Sequence, residues 1–163
     1  QGFCAMLNQK VYGERTEKME VIKWLSVTER HTKMYLDRQL EPLGLNSSQH
    51  MYITRVCENP GMTQDRFITS FYINPSNITR SLAYLEREGF IRKENNKKDK
   101  RTCCLYPTQK GEMVYHEIVK ICRQWEQDIL GILTQEEQQT LDTLLQRIGK
   151  QSVDYLEEYG QEE

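Results

Sequence analysis

No uninterrupted apolar run of about 18 residues, the length that would span a bilayer as a helix, occurs in this 163-residue chain. Its first residues lack the cationic start and apolar centre of an export signal. No Cys-x-x-Cys pair is present. Cys4, Cys57, Cys103, Cys104 and Cys122 form an odd set without zinc-ribbon spacing, which reads as reduced thiols of a cytoplasmic, nucleoid-associated protein. The histidines His31, His50 and His116 have no partner at a diagnostic ligand spacing, and no second histidine follows His116-Glu117 to complete a metalloprotease motif. No metal ion and no cofactor are expected. A Walker loop, a nucleophile elbow and a dinucleotide fingerprint are all missing, so catalysis has no support. Nor is there an internal repeat or a low-complexity tract.

What is present is charge, unevenly spread. Apolar residues make up 37% and charged residues 28% of the chain, a balance that suits a helical protein with much exposed surface, such as an oligomer before assembly. The formal net charge is −2. Yet Met62 to Lys110 holds ten Lys and Arg against five Asp and Glu, whereas Glu126 to the end holds ten acids and two bases. A basic middle ahead of an acidic C-terminal stretch points to a polyanionic partner for the middle.

Helical spacing of Val21, Leu25, Thr28, Thr32, Tyr35 and Leu36 predicts a first helix over Glu17 to Leu40, stopped by Pro42 and Gly44. A second is expected over Asn46 to Cys57, capped by Asn46 or Ser47. Asn59-Pro60-Gly61 is a turn signal. Thr63 is read as the cap of a third helix with Phe67, Ile68 and Phe71 on its apolar side, and Asn74-Pro75 as the start of a fourth that ends at Gly89. Phe90 to Glu94 and Thr102 to Tyr106 read as two strands joined by the polar hairpin Asn95 to Arg101. Thr108 is expected to cap a fifth helix with Val114, Ile118, Ile121, Trp125 and Ile129 along one stripe. Thr134-Gln135-Glu136-Glu137 reads as a capping box that opens a sixth, whose apolar side carries Leu141, Leu144, Leu145, Ile148 and Leu156. The fold class is therefore mainly α with a two-stranded β-wing: a winged helix-turn-helix lobe over 46–107, and helical arms over 17–45 and 108–160. The apolar stripes of these arms exceed what one small lobe can bury, so they are expected to pair in a homodimer. Residues 1–16 form an N-terminal segment, of which 1–5, ahead of Met6, read as a cloning remnant.

The fourth helix carries the recognition chemistry. Ile78, Leu82 and Leu85 share one face; Ser76, Arg80, Ala83 and Arg87 share the opposite one, flanked by Asn77 and Tyr84. A short helix with small, amide and cationic groups outward suits the major groove of double-stranded DNA, where Asn and Arg reach base edges bidentately. Pro75 and Ser76 allow close approach, Thr79 lies beside them, and the free amides at this end suit a phosphate. The hairpin adds Lys97, Lys98, Lys100 and Arg101 around Asp99, cations able to follow phosphates or enter the minor groove.

These segments in order, "PSNITRSLAYLEREGFIRKENNKKDKR" followed by "YPTQKG", resemble the MarR family of transcriptional regulators. The matching pieces are Leu85-Glu86-Arg87-Glu88-Gly89, Asp99-Lys100-Arg101 and Thr108-Gln109-Lys110-Gly111, with "ENPGMTQ" at Glu58 to Gln64 as a fourth. Pro107 and Asn77 depart from the commoner residues of the pattern. The resemblance implies a homodimer on palindromic DNA, usually a repressor relieved by a signal. It also implies that Asp99 sets the wing and that Arg101 enters the minor groove.

Two signals are expected to compete. Trp24, His31, Tyr35 and Trp125 on the arms could line a pocket for a small apolar or aromatic effector, or simply fill an aromatic core. Cys103 and Cys104 could sense oxidants: as adjacent strand residues they point to opposite faces, near Lys100 and Arg101. Relatives that sense organic peroxides keep a cysteine in the first helix, and this chain has none between Glu17 and Leu40. A winged helix serving only as a protein-interaction module is the remaining alternative. The lysine-rich wing argues against it.

Overall fold

The computed structural model of the chain describes residues 20–67, 75–96 and 102–159. Residues 1–33 and 34–163 form two compact units, each described by itself. Helix α1 is Val21–Leu40. Within the first unit its side chains are mostly exposed, Ile22 at 80% and Trp24 at 59%, and Thr28 returns its hydroxyl to the Trp24 carbonyl. The stripe expected from Val21 to Leu36 is therefore buried only at its end, at Leu36 and also Leu40.

In the second unit, Pro42 and Gly44 stop α1 as the sequence predicts. The chain makes a 3-10 turn at Glu41–Leu43, and Gly44 takes φ 72°, a left-handed conformation that glycine tolerates. Helix α2, His50–Glu58, starts later than expected. Asn46 does not cap it. Its side chain instead accepts from the Ser48 amide while Gln49 accepts from the Asn46 amide, so the local turn wins over the helix. Gly61, at φ 88°, completes the expected turn.

Thr63 is not a helix cap. Met62–Thr63 is a strand, β1, and it pairs antiparallel with β3 (Cys103–Pro107), Met62 opposite Leu105. β3 also pairs with β2 (Ile91–Asn95), Lys93 opposite Leu105. The wing is thus part of a three-stranded sheet, order β1-β3-β2. Helix α3 is described only over residues 65–67; Ile68 and Phe71 lie outside the described residues, as does most of the hairpin.

Helix α4 is Pro75–Arg87. Gly89, at φ 75°, ends it. Helices α5, Gln109–Leu130, and α6, Gln135–Tyr159, follow. Thr108 caps α5 by accepting from the Gly111 amide at 3.1 Å. The capping box of α6 forms in both directions: Glu137 accepts from the Thr134 amide and Thr134 Oγ1 from the Glu137 amide. The Thr134 amide, and the Thr134 hydroxyl that donates to the same carboxylate at 2.9 Å, hold the Glu137 carboxyl below its usual range.

One core gathers Leu36, Leu40, Tyr52, Ile53, Val56, Phe67, Ile78, Leu82, Leu85, Phe90, Ile91, Leu105 and Ile118. Full burial of such side chains contributes about 1.5–3 kcal/mol each. The predicted apolar face of α4 is therefore its buried face. The stripe of α5 is buried fully only at Ile118. Along α6, Leu144, Leu145, Ile148 and Leu156 are all exposed. No helix among the described residues is long and apolar enough to cross a membrane.

Candidate nucleic-acid interface

The site is built on α4. Ile78, Leu82 and Leu85 are fully buried, which turns Pro75, Ser76, Asn77, Arg80, Ala83 and Arg87 outward, all exposed. The sequence-predicted reading face is therefore brought together on one surface. Arg87 is not isolated: its Nε donates to Glu88 at 3.0 Å, and its guanidinium lies 5.2 Å from the Tyr84 ring centre.

Thr79 stands differently. Its side chain is exposed, but its hydroxyl accepts from Gln64 Nε2 at 2.8 Å and donates to the Pro75 carbonyl at 3.0 Å. Tyr84, expected to flank the reading face, reaches back to donate to the Gly44 carbonyl at 2.8 Å. Sequence reasoning missed both holds. A tyrosine and a glutamine give no local pattern that marks their distant partners.

The C-terminal end of α4 is tied to the start of α5. Thr108 Oγ1 donates to the Gly89 carbonyl at 2.6 Å, and the Thr108 amide donates to the Phe90 carbonyl at 3.1 Å. Lys110 donates to the Glu88 carbonyl at 2.7 Å, with its ammonium 4.0 Å from the Phe90 ring centre. From the sheet, Lys93 pairs with Glu86 at 2.8 Å, and Arg92 pairs with Glu94 while covering the Tyr106 ring. Lys97, Lys98, Asp99, Lys100 and Arg101 lie outside the described residues.

The cysteines separate by environment. Cys103 is exposed and Cys104 half-buried, on opposite faces of β3. Cys57 is half-buried between α2 and α5, with its thiol directed at the Gly111 carbonyl. Burial, reinforced by the carboxylates of Glu112 and Glu58, pushes that thiol up to about 11. Burial, with Glu126, raises Cys122 as well. A thiol that stays protonated is a poor nucleophile. Iodoacetamide at pH 8 is therefore expected to modify Cys103 well before Cys57 or Cys122, checked by peptide mass spectrometry over time; modification of Cys57 first would contradict these environments.

Of the residues read as an effector pocket, Tyr35 and Trp125 stack face to face, centroids 4.5 Å apart and planes 19° apart. Trp24 and His31 belong to the other unit. There Lys23 sits 5.2 Å from the Trp24 ring centre, and His31 Nδ1 lies 2.8 Å from the Val27 carbonyl. Among the described residues, no group of three His, Cys, Asp or Glu side chains is arranged to hold a metal ion. His50 is engaged with the Ser47 carbonyl at 2.7 Å; burial lowers its pKa, and that contact opposes the shift.

A half-buried helix, polar outward and ended by a left-handed glycine, followed by two antiparallel strands and a long helix tied to its end, is the arrangement on which comparison with known proteins bears. A sequence profile of the MarR family matches residues 45–103, the span from the turn before α2 to the start of β3. Over those residues the chain is similar to the MarR family. Its relatives include the HTH-type transcriptional regulator YybA of Bacillus subtilis, which remains uncharacterised, 27% identical over 131 residues that span 80% of this chain and 87% of YybA. Among solved structures, the transcriptional regulator SlyA superposes with a TM-score of 0.79 at 26% identity, covering 83% of this chain and 96% of that one. A MarR-family regulator of Listeria monocytogenes, crystallised with a 26mer DNA, superposes with a TM-score of 0.78 at 26% identity, covering 82% and 89%. The chain thus has the winged-helix fold of these transcriptional regulators.

Proposed function

We propose that this protein is a homodimer of the MarR family that recognises a palindromic operator in double-stranded DNA and represses transcription until a small apolar or aromatic effector weakens its hold. The observation that carries the reading is α4. Three fully buried residues on one side leave Ser76, Asn77, Arg80 and Arg87 exposed together on the other. Asn77 and Arg80 supply base contacts, and the hairpin cations Lys97, Lys98, Lys100 and Arg101 supply phosphate and minor-groove contacts, with Asp99 setting the hairpin. The crystallised Listeria relative with its 26mer supports a duplex as the partner. The exposed apolar side of α6 supports the dimer.

The Tyr35–Trp125 stack supports an aromatic effector, because a planar ring can extend an existing stack. Such a ligand acts by preferring a spacing of the two reading helices that no longer matches DNA. A hundredfold loss of DNA affinity needs about 2.7 kcal/mol of coupling, and DNA must then weaken effector binding by the same factor.

Selection from a random duplex pool tests the reading. Enrichment of an inverted repeat with half-sites about 10 base pairs apart is expected. Recovery of no repeat, or no retention of duplex at moderate salt, overturns it. Exposed Cys103 favours the thiol reading of the switch. A Cys103→Ser/Cys104→Ser variant that still binds DNA but ignores oxidant, with no aromatic compound releasing the wild type, would establish that reading instead.

A further inference from the structure

The geometry points to Thr79 and Tyr84 as positioning residues that grip α4 on its two flanks and set its roll, an inference that rests on the reading of α4 as the DNA-reading helix. Apolar packing by Ile78, Leu82 and Leu85 holds the helix against the core, but such contacts are non-directional and leave rotation about the helix axis weakly determined. Hydrogen bonds are directional. At 3.6 residues per turn, Thr79 projects about 100° to one side of Ile78 and Tyr84 about 120° to the other. On the first flank Gln64 Nε2 donates to Thr79 at 2.8 Å. On the second the Tyr84 hydroxyl donates to the Gly44 carbonyl at 2.8 Å, across 40 residues of sequence. The outward residues Ser76, Arg80, Ala83 and Arg87 lie between these two holds.

The acceptor on the second flank is itself well defined. Gly44 sits in the left-handed conformation, and its amide donates to the Glu41 carbonyl at 2.9 Å. The Tyr84 ring also lies under the Arg87 guanidinium, so one side chain both anchors the helix and orients its last outward cation. With side-chain tips about 6 Å from the axis, a roll of roughly 10° moves them by about 1 Å. That is enough to spoil a bidentate base contact while phosphate contacts made by long side chains adjust. Neither hydroxyl carries charge, so removing them leaves the field at the DNA surface unchanged.

Tyr84→Phe, Thr79→Val and the double variant test this in the full chain. The readouts are affinity for the duplex enriched by selection, affinity for an unrelated duplex of equal length, the salt slope of each, and amide hydrogen exchange along α4 without DNA. Each single variant is expected to lose about fivefold on the enriched duplex, the effect of one hydrogen bond, and the double variant more. The unrelated duplex and both salt slopes should be unchanged, and α4 amides should exchange faster. Equal losses on both duplexes, or unchanged discrimination with unchanged exchange, overturn the proposal. If the wild type prefers no duplex, the DNA reading has failed, and exchange alone decides: unchanged protection of α4 in both variants sinks the flank grip.

Discussion

Replacing Leu145 and Ile148 together by aspartate is expected to convert the protein to a monomer whose lobe stays folded and to cut operator affinity by more than about a hundredfold, because two linked half-sites act as one ligand only while the proposed dimer holds. α6 is 25 residues long, and Leu145 is 44%, Ile148 46% and Leu156 70% exposed. A helix this long with so little buried is not stabilised by its own chain. Sealing such a side against a second copy, together with apolar residues elsewhere on the arms, places the contact in the obligate class, above about 2,000 Å². Charges there would be desolvated on association, which costs several kcal/mol. The core around Ile53, Ile78 and Leu105 contains no α6 residue, so the lobe should keep its fold. Sedimentation velocity and circular dichroism check the two halves of the claim. A dimer that survives both aspartates, or a monomer with undiminished operator affinity, contradicts it.

Gly111→Ala is expected to destabilise the protein by about 3 kcal/mol, by overpacking where no side chain can move aside. A Cβ at Gly111 would stand 2.1 Å from the Phe90 carbonyl oxygen. That oxygen already accepts from the Thr108 amide at 3.1 Å, so either the cap of α5 or the exit from α4 must shift. For a chain of this size, the loss corresponds to a melting temperature lower by about 6–12 °C. Operator affinity should fall too, since Phe90 directly follows the glycine that ends α4. Thermal denaturation of the purified protein decides it; a midpoint within about 2 °C of the wild type would mean that the contact relaxes freely.

Much of this site was legible because its determinants are local. Ile78, Leu82 and Leu85 recur at helical spacing, and helical spacing alone decides which residues share a face. Pro75, Gly89, Thr108 and the Thr134–Glu137 box act on their own neighbours within a turn. The outward set Ser76, Asn77, Arg80 and Arg87 followed from the same periodicity. Where local rules competed, the reading failed: Asn46 can cap a helix or close a turn, and here it closes a turn, so α2 begins at His50.

By itself, then, the sequence determined the order of helices, the buried side of α4, the caps and the concentration of positive charge on the wing, all properties of residues within a few positions of each other. Tertiary structure alone decided the rest. Met62–Thr63 is too short to show any period, and it became a strand only because β3 offered it an unpaired edge. Thr79 lost its hydroxyl to Gln64, and Tyr84 found Gly44, through contacts that no local pattern encodes. Gly111 is required by the carbonyl of Phe90, 21 residues earlier, a demand that exists only once α5 has docked against the end of α4. Side-chain spacing is set by the chain's own geometry, whereas a partner's position depends on how every intervening element packs.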